Sequence, residues 1–310
     1  MRVVVFGTSV FAVPSFEQVA ARHDVVLCVT QPDRPQGRGL SLKPSPVKRA
    51  ALRLNVPLIQ PERLTAGELA GLQADVGVLV SYGQLVRREV LAVPTHGVLG
   101  VHPSLLPKYR GAAPIAWAIL NGETATGVTI YRLNERLDAG EMLCQREVPM
   151  APDEDTGRLT ERLAQIGAEE LLHGLDVLAS GHARFRPQDD SQATVAPKFA
   201  KAQGRINWTQ PAEQIARMIR AMTPWPGATA AWQGQPLRLW AAAADETNAS
   251  GAVPGQVVRV APDAVVVGTG GGTLTVTEVQ LAGKRRMRVS EFLIGHPMKP
   301  GDVLGVISGW

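Results

Sequence analysis

The first 180 residues alternate short runs of β-branched residues with longer stretches of helical spacing, and this alternation limits the possible folds most strongly. Strands that are buried on both faces of a parallel sheet have such continuous apolar runs. The pattern predicts an α/β domain with a Rossmann-like, mostly parallel sheet and helices on both faces. The predicted strands are Val3–Phe6, Val25–Thr30, Val76–Ser81, Val98–His102 and Val128–Leu133, and a long helix is predicted over Thr156–Leu178.

The chain changes character after residue 186. Proline and aspartate residues interrupt every period between residues 187 and 204, as in an ordered linker. Short strand candidates separated by glycine-containing turns follow, which is typical of a small antiparallel barrel or sandwich. We therefore predict a first domain over residues 1–186, a linker over 187–204 and a second domain over 205–310.

Composition excludes several classes of protein. Hydrophobic residues make up 45% and charged residues 19% of the chain, which fits a folded globular protein rather than a disordered one. No run approaches the roughly 18 apolar residues of a membrane span, and we identify no signal segment at the amino terminus. Because Cys28 and Cys144 lack the spacing of zinc ligands or of a disulfide framework, we expect no metal and a reducing cytoplasm.

A histidine at the end of a predicted strand is the first candidate for chemistry. In GVLGVHPSLLPKYRG, residues 97–111, the strand leads His102 into a loop that contains two prolines. Ligands bind at the carboxyl ends of strands in open parallel sheets, and an imidazole transfers protons near neutral pH. A hydrogen-bonded structural histidine is the competing interpretation.

A second strand and loop repeat this arrangement further along the chain. In GVTIYRLNERLDAGEML, residues 127–143, Asp138 follows a predicted strand. A carboxylate beside an imidazole orients the ring and favours its protonated form, so His102 and Asp138 would form a proton-transfer pair. A single aspartate in a loop is more often a turn residue. The chain has no G-x-S-x-G elbow, no G-x-G-x-x-G after its first strand and no Walker A sequence, which disfavours a serine nucleophile and dinucleotide binding.

Both segments resemble one enzyme family, the formyltetrahydrofolate-dependent formyltransferases, and within it the enzymes that act on methionyl-tRNA. The similarity rests on VHPSLLPKYRGAAPI and GVTIYRLNERLDAGEML. It extends in order and spacing from residue 1 to about residue 240, through VFGTSVFAVPSFEQV, TQPDRPQGRGLSLKPSPVKRAA, VLVSYGQLV, APKFAKAQGRINW and IRAMTPWPGATAAW. The resemblance implies an OB-like β-barrel for the second domain.

The resemblance also assigns three polar catalytic positions: an asparagine, a histidine two residues later and a distant aspartate. His102 and Asp138 match the last two, but Gly100 stands at the asparagine position. The family's amide would donate to the formyl oxygen, and loss of one such donor costs about 10²–10³ in rate. Attenuated catalysis, loss of activity, and replacement by water or by another donor such as Asn134 all stay open. If the amide is the only defect, Gly100→Asn should raise the rate roughly 10²-fold.

The folate-binding segment follows the histidine in this family. The resemblance assigns it to Ser104, Leu105, Leu106 and Pro107, whose backbone groups and apolar side chains would hold the pterin. Without the resemblance, a loop that packs two leucines between prolines would be the simpler interpretation.

Basic residues are concentrated in the loop after the second predicted strand. Between Gln31 and Arg53 the chain has six basic residues and one acid, Asp33. Such a loop suits a phosphate backbone, although a solvated loop without a partner is the alternative. Its prolines and glycines predict no regular structure before binding. The predicted tRNA-binding residues are Arg34, Arg38, Lys43, Lys48 and Arg49, and a second basic patch comprises Lys284, Arg285, Arg286 and Arg288.

The function implied by the resemblance is transfer of a formyl group from the co-substrate 10-formyltetrahydrofolate to the amino group of methionyl initiator tRNA, for translation initiation. His102 would move the proton and Asp138 would orient the ring, without a metal. We expect a monomer with no membrane partner. Two alternatives stay open: a tRNA-binding homologue with lost or attenuated catalysis, and a formyltransferase that acts on a small amine, such as glycinamide ribonucleotide or an amino sugar.

Overall fold

The computed structural model describes residues 1–36, 41–245 and 253–306. The chain divides into two compact units. The first contains Met1–Pro114, Ala125–Met150 and Thr160–Ala196, and the second contains Ile115–Thr124, Ala151–Leu159 and Pro197–Trp310. Within the described ranges, none of the helices is long and apolar enough to cross a membrane.

A seven-stranded sheet organises the first unit. In chain order its strands and those of a small hairpin are β1 (Arg2–Gly7), β2 (Asp24–Val29), β3 (Arg34–Gln36), β4 (Ser41–Lys43), β5 (Leu58–Ile59), β6 (Val76–Val80), β7 (Val98–His102), β8 (Ala125–Arg132) and β9 (Met142–Pro149). The sheet order is β5-β2-β1-β6-β7-β8-β9, while β3 and β4 pair separately. The first five strands in this sheet order, β5, β2, β1, β6 and β7, are parallel to one another. Strands β8 and β9 follow at one edge in antiparallel pairing.

The sheet confirms the predicted α/β class, because the inner strands are buried as their apolar runs require. The side chains of Val3, Val4 and Phe6 have no exposed surface, as in a sheet covered on both faces. The edge strand β9 was not predicted. Its charged middle, where Arg146 and Glu147 are both exposed, hides the apolar alternation.

Among the described residues up to Ala179, the α-helices are α1 (Ala12–Arg22), α2 (Pro46–Arg53), α3 (Arg88–Leu91), α4 (Pro114–Leu120) and α5 (Thr156–Ala179). Most of α4 and the first turn of α5 belong to the second unit. The predicted long helix is thus present as α5. Helix α2 begins where the Ser45 hydroxyl accepts the backbone N–H of Lys48, and Pro46 at the first position forfeits no hydrogen bond within the helix. In α5, Gly167 allows close packing on the sheet, since a Cβ there would lie 3.0 Å from Val101 Cγ1.

The second unit is built on an antiparallel sheet. Its elements are α6 (Ala212–Ala221), β10 (Ala228–Trp232), β11 (Gln235–Asp245), β12 (Val257–Val260), β13 (Val265–Gly268), β14 (Thr273–Leu281), β15 (Met287–Arg288) and α7 (Val289–Gly295). The sheet order is β10-β11-β14-β13-β12, and β15 pairs with β14.

The carboxyl-terminal segment bridges both edges of this sheet. Gly305 pairs with Ala231 in β10, while Val303 pairs with Gln256, which directly precedes β12. Leu304, between the two bridging residues, is buried. The two edge strands are therefore covered rather than left open, as in a small barrel.

Candidate active site

The candidate site is built where β7 ends. His102 is the last residue of β7, and Asp138 lies in the loop between β8 and β9. His102 Nδ1 lies 3.7 Å from Asp138 Oδ2, and both side chains are largely buried. The separation is long for a hydrogen bond but short for interaction between charges. The structure thus brings together the two residues that the sequence separates by more than thirty positions.

The other ring nitrogen of His102 has a fixed partner. Nε2 lies 2.8 Å from the backbone carbonyl oxygen of Tyr109. Because a carbonyl oxygen only accepts, Nε2 carries a proton and Nδ1 is the basic nitrogen of the neutral ring. Burial lowers the pKa of His102, and this effect outweighs the opposing influences of the Asp138 charge and the Tyr109 carbonyl. His102 is therefore a neutral proton acceptor near pH 7.

The Asp138 carboxylate is held by donors from two other segments. Its Oδ2 accepts the backbone N–H of Gly111 at 2.8 Å, and its Oδ1 accepts the Tyr131 hydroxyl at 2.7 Å. The backbone of Asp138 is left-handed, with φ of 48°, a conformation that Asp tolerates better than most residues. Asp138 is therefore a positioned carboxylate rather than a solvated turn residue.

A third segment supports the loop of Asp138. The Gln188 side chain donates to the carbonyl oxygens of Asp138 and Gly140, and it accepts two hydrogen bonds from Arg110. Asp190 also pairs with Arg110, and the hydrogen bonds from Arg136 and from Arg110 lower the pKa of Asp190. Sequence patterns did not identify these residues, because Gln188 is remote in the chain and lies in the predicted linker.

Gly100 has no room for a side chain in this structure. It lies in β7 directly opposite Tyr131 of β8. A Cβ at Gly100 would stand 2.5 Å from Tyr131 Cε1 and 2.7 Å from Leu133 Cδ1. Asn134, considered as a substitute donor, is engaged within its own loop, where its Oδ1 accepts the N–H of Arg136. None of its described hydrogen bonds reaches His102 or Asp138.

The predicted folate segment is a preformed loop anchored on β8 and β9. The backbone N–H of Leu106 donates to the Thr129 hydroxyl, and the Gln145 amide donates to the Leu106 carbonyl. The Ser104 hydroxyl donates to the carbonyl of Lys108. Ser104 and Leu106 are buried, whereas Leu105 and Pro107 are partly exposed. The side chains that a ligand could reach are therefore those of Leu105 and Pro107.

The predicted basic loop contains regular structure, contrary to expectation. Strands β3 and β4 form an antiparallel hairpin, and Pro35 is compatible with it because each of the two strands is an edge strand. Arg38 lies outside the described residues. The remaining predicted residues are Arg34 and Lys43 in the hairpin and Lys48 and Arg49 in α2.

Acidic side chains neutralise part of this basic surface. Arg34 pairs with Glu62 at 2.8 Å, and Lys48 pairs with Asp33 at 2.7 Å. The Lys48 and Gln60 contacts lower the pKa of Asp33. In the second basic patch, Arg285 pairs with Glu291 and Arg286 pairs with Glu278. Counting charges within one segment therefore overestimates the free positive charge.

Nucleophilic cysteine chemistry has no support in this structure. Cys28 is buried, and burial raises its pKa to about 12. Burial also raises the pKa of Cys144. The thiolates that such chemistry requires are thus disfavoured at neutral pH.

Two family models match the chain. The model described as formyl transferase matches residues 1–175, and the model described as formyl transferase, C-terminal domain, matches residues 198–297. A methionyl-tRNA formyltransferase of Roseiflexus sp. is 46% identical over 311 residues, covering 98% of this chain and 95% of the relative. Another, of Geobacter sulfurreducens, is 40% identical and covers 98% of this chain and 97% of the relative.

Solved structures share the fold at low identity. The N-formyltransferase of Helicobacter canadensis, in complex with folinic acid and dTDP-3-aminofucose, has a TM-score of 0.69 and 15% identity, covering 93% of this chain and all of that one. HypX of Aquifex aeolicus, in complex with tetrahydrofolic acid, has a TM-score of 0.63 and 20% identity. All of this chain matches 51% of HypX. The chain belongs to the formyl transferase family, among the methionyl-tRNA formyltransferases.

Proposed function

We propose that this chain transfers the formyl group of 10-formyltetrahydrofolate to the amino group of methionyl initiator tRNA. The observation that carries the proposal is the alignment of 98% of the chain with methionyl-tRNA formyltransferases. The approach of His102 to Asp138 at the end of β7 supports it, because formyl transfer requires a positioned proton carrier.

The reaction can be written with His102 as that carrier. The amine nitrogen attacks the formyl carbon, and the carbonyl oxygen takes up the electron pair. His102 accepts the surplus proton of the nitrogen at Nδ1, the ring nitrogen not committed to Tyr109. The carbonyl re-forms from the electron pair on the oxygen, the bond from the formyl carbon to the folate nitrogen breaks, and that nitrogen receives the proton from His102. His102 ends the cycle in its initial state, and Asp138 stabilises the intermediate imidazolium.

For the folate, we assign the binding segment to Ser104, Leu105, Leu106 and Pro107. Thr129 and Gln145 hold the backbone of this loop, so its shape exists before the ligand arrives. Leu105 and Pro107 then offer an apolar wall to the pterin ring, while Ser104 and Leu106 maintain the loop. Preorganisation of this kind reduces the entropic cost of binding.

For the tRNA, we assign the hairpin β3–β4 and the start of α2. Lys43 is exposed, and Arg38, which lies outside the described residues, is assigned to the same surface from the sequence alone. Phosphate contacts from such residues would position the acceptor end without reading its sequence. Arg34, Lys48 and Arg49 complete the proposed surface, with Arg34 and Lys48 already paired to acids.

A formylation assay tests the proposal directly. Purified protein is incubated with 10-formyltetrahydrofolate and either charged initiator methionyl-tRNA or uncharged tRNA, and the formylmethionyl product is measured after ester hydrolysis. We expect product only with the charged tRNA. Glycinamide ribonucleotide and an amino-sugar nucleotide serve as competing acceptors, and preferential formylation of either would contradict the assignment. Tight binding of tRNA without product would favour the non-catalytic homologue.

Several expectations accompany this proposal and stay predictions. They are the domain boundaries after residues 186 and 204, the monomeric state, the absence of a metal requirement and the cytoplasmic location. Gly100 is the main evidence for the non-catalytic alternative. The retained pair of His102 and Asp138 argues against it, because a binding protein needs no buried proton carrier.

A further inference from the structure

The space beside Gly100 is filled by an aromatic ring from the neighbouring strand. Gly100 and Tyr131 are direct partners across β7 and β8, so their side-chain positions face the same side of the sheet. A Cβ on Gly100 would lie 2.5 Å from Tyr131 Cε1 and 2.8 Å from Tyr131 Cζ. Real Cβ atoms do not approach ring atoms so closely. The ring of Tyr131 therefore needs glycine at position 100.

The far end of that ring reaches the catalytic pair. The Tyr131 hydroxyl donates to Asp138 Oδ1 at 2.7 Å, and the rings of Tyr131 and His102 meet edge to face with centroids 6.4 Å apart. Tyr131 is only 5% exposed. Burial, with the nearby Asp138 charge, raises its pKa well above the usual value of 10.0, so the phenol keeps its proton and serves as a donor.

This hydrogen bond fixes the rotation of the Asp138 carboxylate. Tyr131 holds Oδ1, while the N–H of Gly111 holds Oδ2 on the side that faces His102. Without the phenol, one buried carboxylate oxygen would lose its described donor, and the carboxylate could turn away from the imidazole. The backbone N–H of Gly111 alone does not restrain both oxygens.

We infer that Tyr131 is a positioning residue of the active site, which holds Asp138 against His102, and that Gly100 is required to admit its ring. Gly100 and Tyr131 thus act together: the glycine leaves space for the ring, and the ring supplies a hydroxyl group to Asp138. The inference rests on the proposed formyl transfer. It also reverses the expectation for Gly100→Asn, which should displace the Tyr131 ring and lower the rate instead of raising it.

Tyr131→Phe tests the hydroxyl while keeping the ring. We expect kcat to fall about 10- to 100-fold, because a hydrogen bond to a buried charged group is lost, with little change in KM for either substrate. The acid limb of kcat/KM should move to lower pH. A carboxylate that turns away from the ring favours the imidazolium less, so the pKa of His102 falls. If Tyr131 served only in packing, its substitution would change thermal stability without shifting the acid limb of the kcat/KM profile.

Tyr82→Phe is the matched control. Tyr82 is equally buried, and its hydroxyl has no hydrogen-bond partner among the described residues. This variant should keep the parent's kcat and pH profile. If Tyr131→Phe also keeps both, Tyr131 is a packing residue and the inference is wrong. If the parent itself transfers no formyl group, the proposed function fails instead.

A second pair of variants tests the link to Gly100. Gly100→Ala adds only the Cβ, so it should lower kcat by pushing the ring away from Asp138. In Tyr131→Ala the ring is absent, and adding Gly100→Ala to that variant should cause no further loss. Independent, additive losses would overturn the coupling. If Gly100→Ala does not fold, as judged by thermal unfolding, the Tyr131→Phe result decides the role of the phenol.

Discussion

The proton affinity of His102 reflects two opposing surroundings. Burial disfavours the charged imidazolium, whereas Asp138 and the carbonyl of Tyr109 favour it, and the net effect lowers the pKa. A general base with a pKa below the working pH is already unprotonated, so it can accept a proton directly. The same burial destabilises the fold in acid, because the unfolded chain can protonate this ring more easily.

The pH titration of His102 is the first prediction. In NMR titrations of the ring, we expect a pKa below 6.5 in the parent and a lower one in Asp138→Asn, which removes the carboxylate that favours the imidazolium. Since the folded pKa lies below the unfolded value, the stability contributed by the neutral ring is complete above about pH 6.5. It declines as the pH falls through the folded pKa. A parent value above 6.5 would show that Asp138 outweighs burial.

Loss of either member of the pair is the second prediction. His102→Ala and Asp138→Ala should each lower the rate of formyl transfer by a factor on the order of 10² or more, the usual range for a positioned acid–base group. Single-turnover assays at saturating substrates measure this effect. His182→Ala is the control, because His182 is exposed and bonds only to Ser180 among its described partners. Parent rates in a folded His102→Ala protein would remove His102 from the mechanism.

At the scale of elements, β8 matters because of its direction. As an antiparallel neighbour of β7, it places Tyr131 beside Gly100 and Thr129 beside His102. Thr129 then anchors the loop of Ser104 and Leu106 through its hydroxyl. One strand thus supports both the proton-transfer pair and the proposed folate segment. A parallel strand at this place would give a different register and different partners.

The hairpin β3–β4 leads to the third prediction. Lys43→Ala should weaken tRNA binding and make the slope of log affinity against log salt shallower by about 0.7–0.9, the contribution of one phosphate contact. Lys48→Ala should change the slope less, because the Lys48 ammonium is paired with Asp33. Filter binding at several salt concentrations measures both variants, and folate affinity should be unaltered. Equal slopes for parent and Lys43→Ala would mean that Lys43 is a solvated surface residue.

At the scale of the whole molecule, the two units have different spectroscopic reporters. The described tryptophans all fall within the second unit, at positions 117, 208, 225, 232 and 240, whereas the three tyrosines, Tyr82, Tyr109 and Tyr131, belong to the first. Tryptophan fluorescence therefore follows the unfolding of the second unit. This separation allows closure of the small barrel to be tested without interference from unfolding of the first unit.

Closure by the carboxyl-terminal segment gives the fourth prediction. Leu304→Ala should lower the free energy of unfolding of the second unit by about 3 kcal/mol, since Leu304 is 2% exposed between two bridging residues. Val306→Ala should cost less than about 0.5 kcal/mol, because Val306 is 62% exposed. Urea denaturation followed by tryptophan fluorescence measures both. Similar losses in the two variants would show that burial of Leu304 does not stabilise the closed sheet.

The sequence by itself determined the α/β class, the antiparallel second half and the family. Apolar runs such as Val3–Phe6 report burial on both faces of a strand, and this information is local. The motif around His102 is also local, so the candidate histidine could be identified together with the loop that follows it. The exposed, charged strand β9 left no such pattern and was missed.

Only the tertiary structure decided which partners these residues have. Gly100 as a sequence letter suggested a missing donor, yet the fold places the Tyr131 ring in the vacant space and its hydroxyl on Asp138. Likewise, the basic segment gained acids from elsewhere in the chain, such as Glu62. Strand pairing and loop conformation bring together residues that are far apart in the sequence. Steric fit and electrostatics depend on those distances in space, which local patterns do not contain.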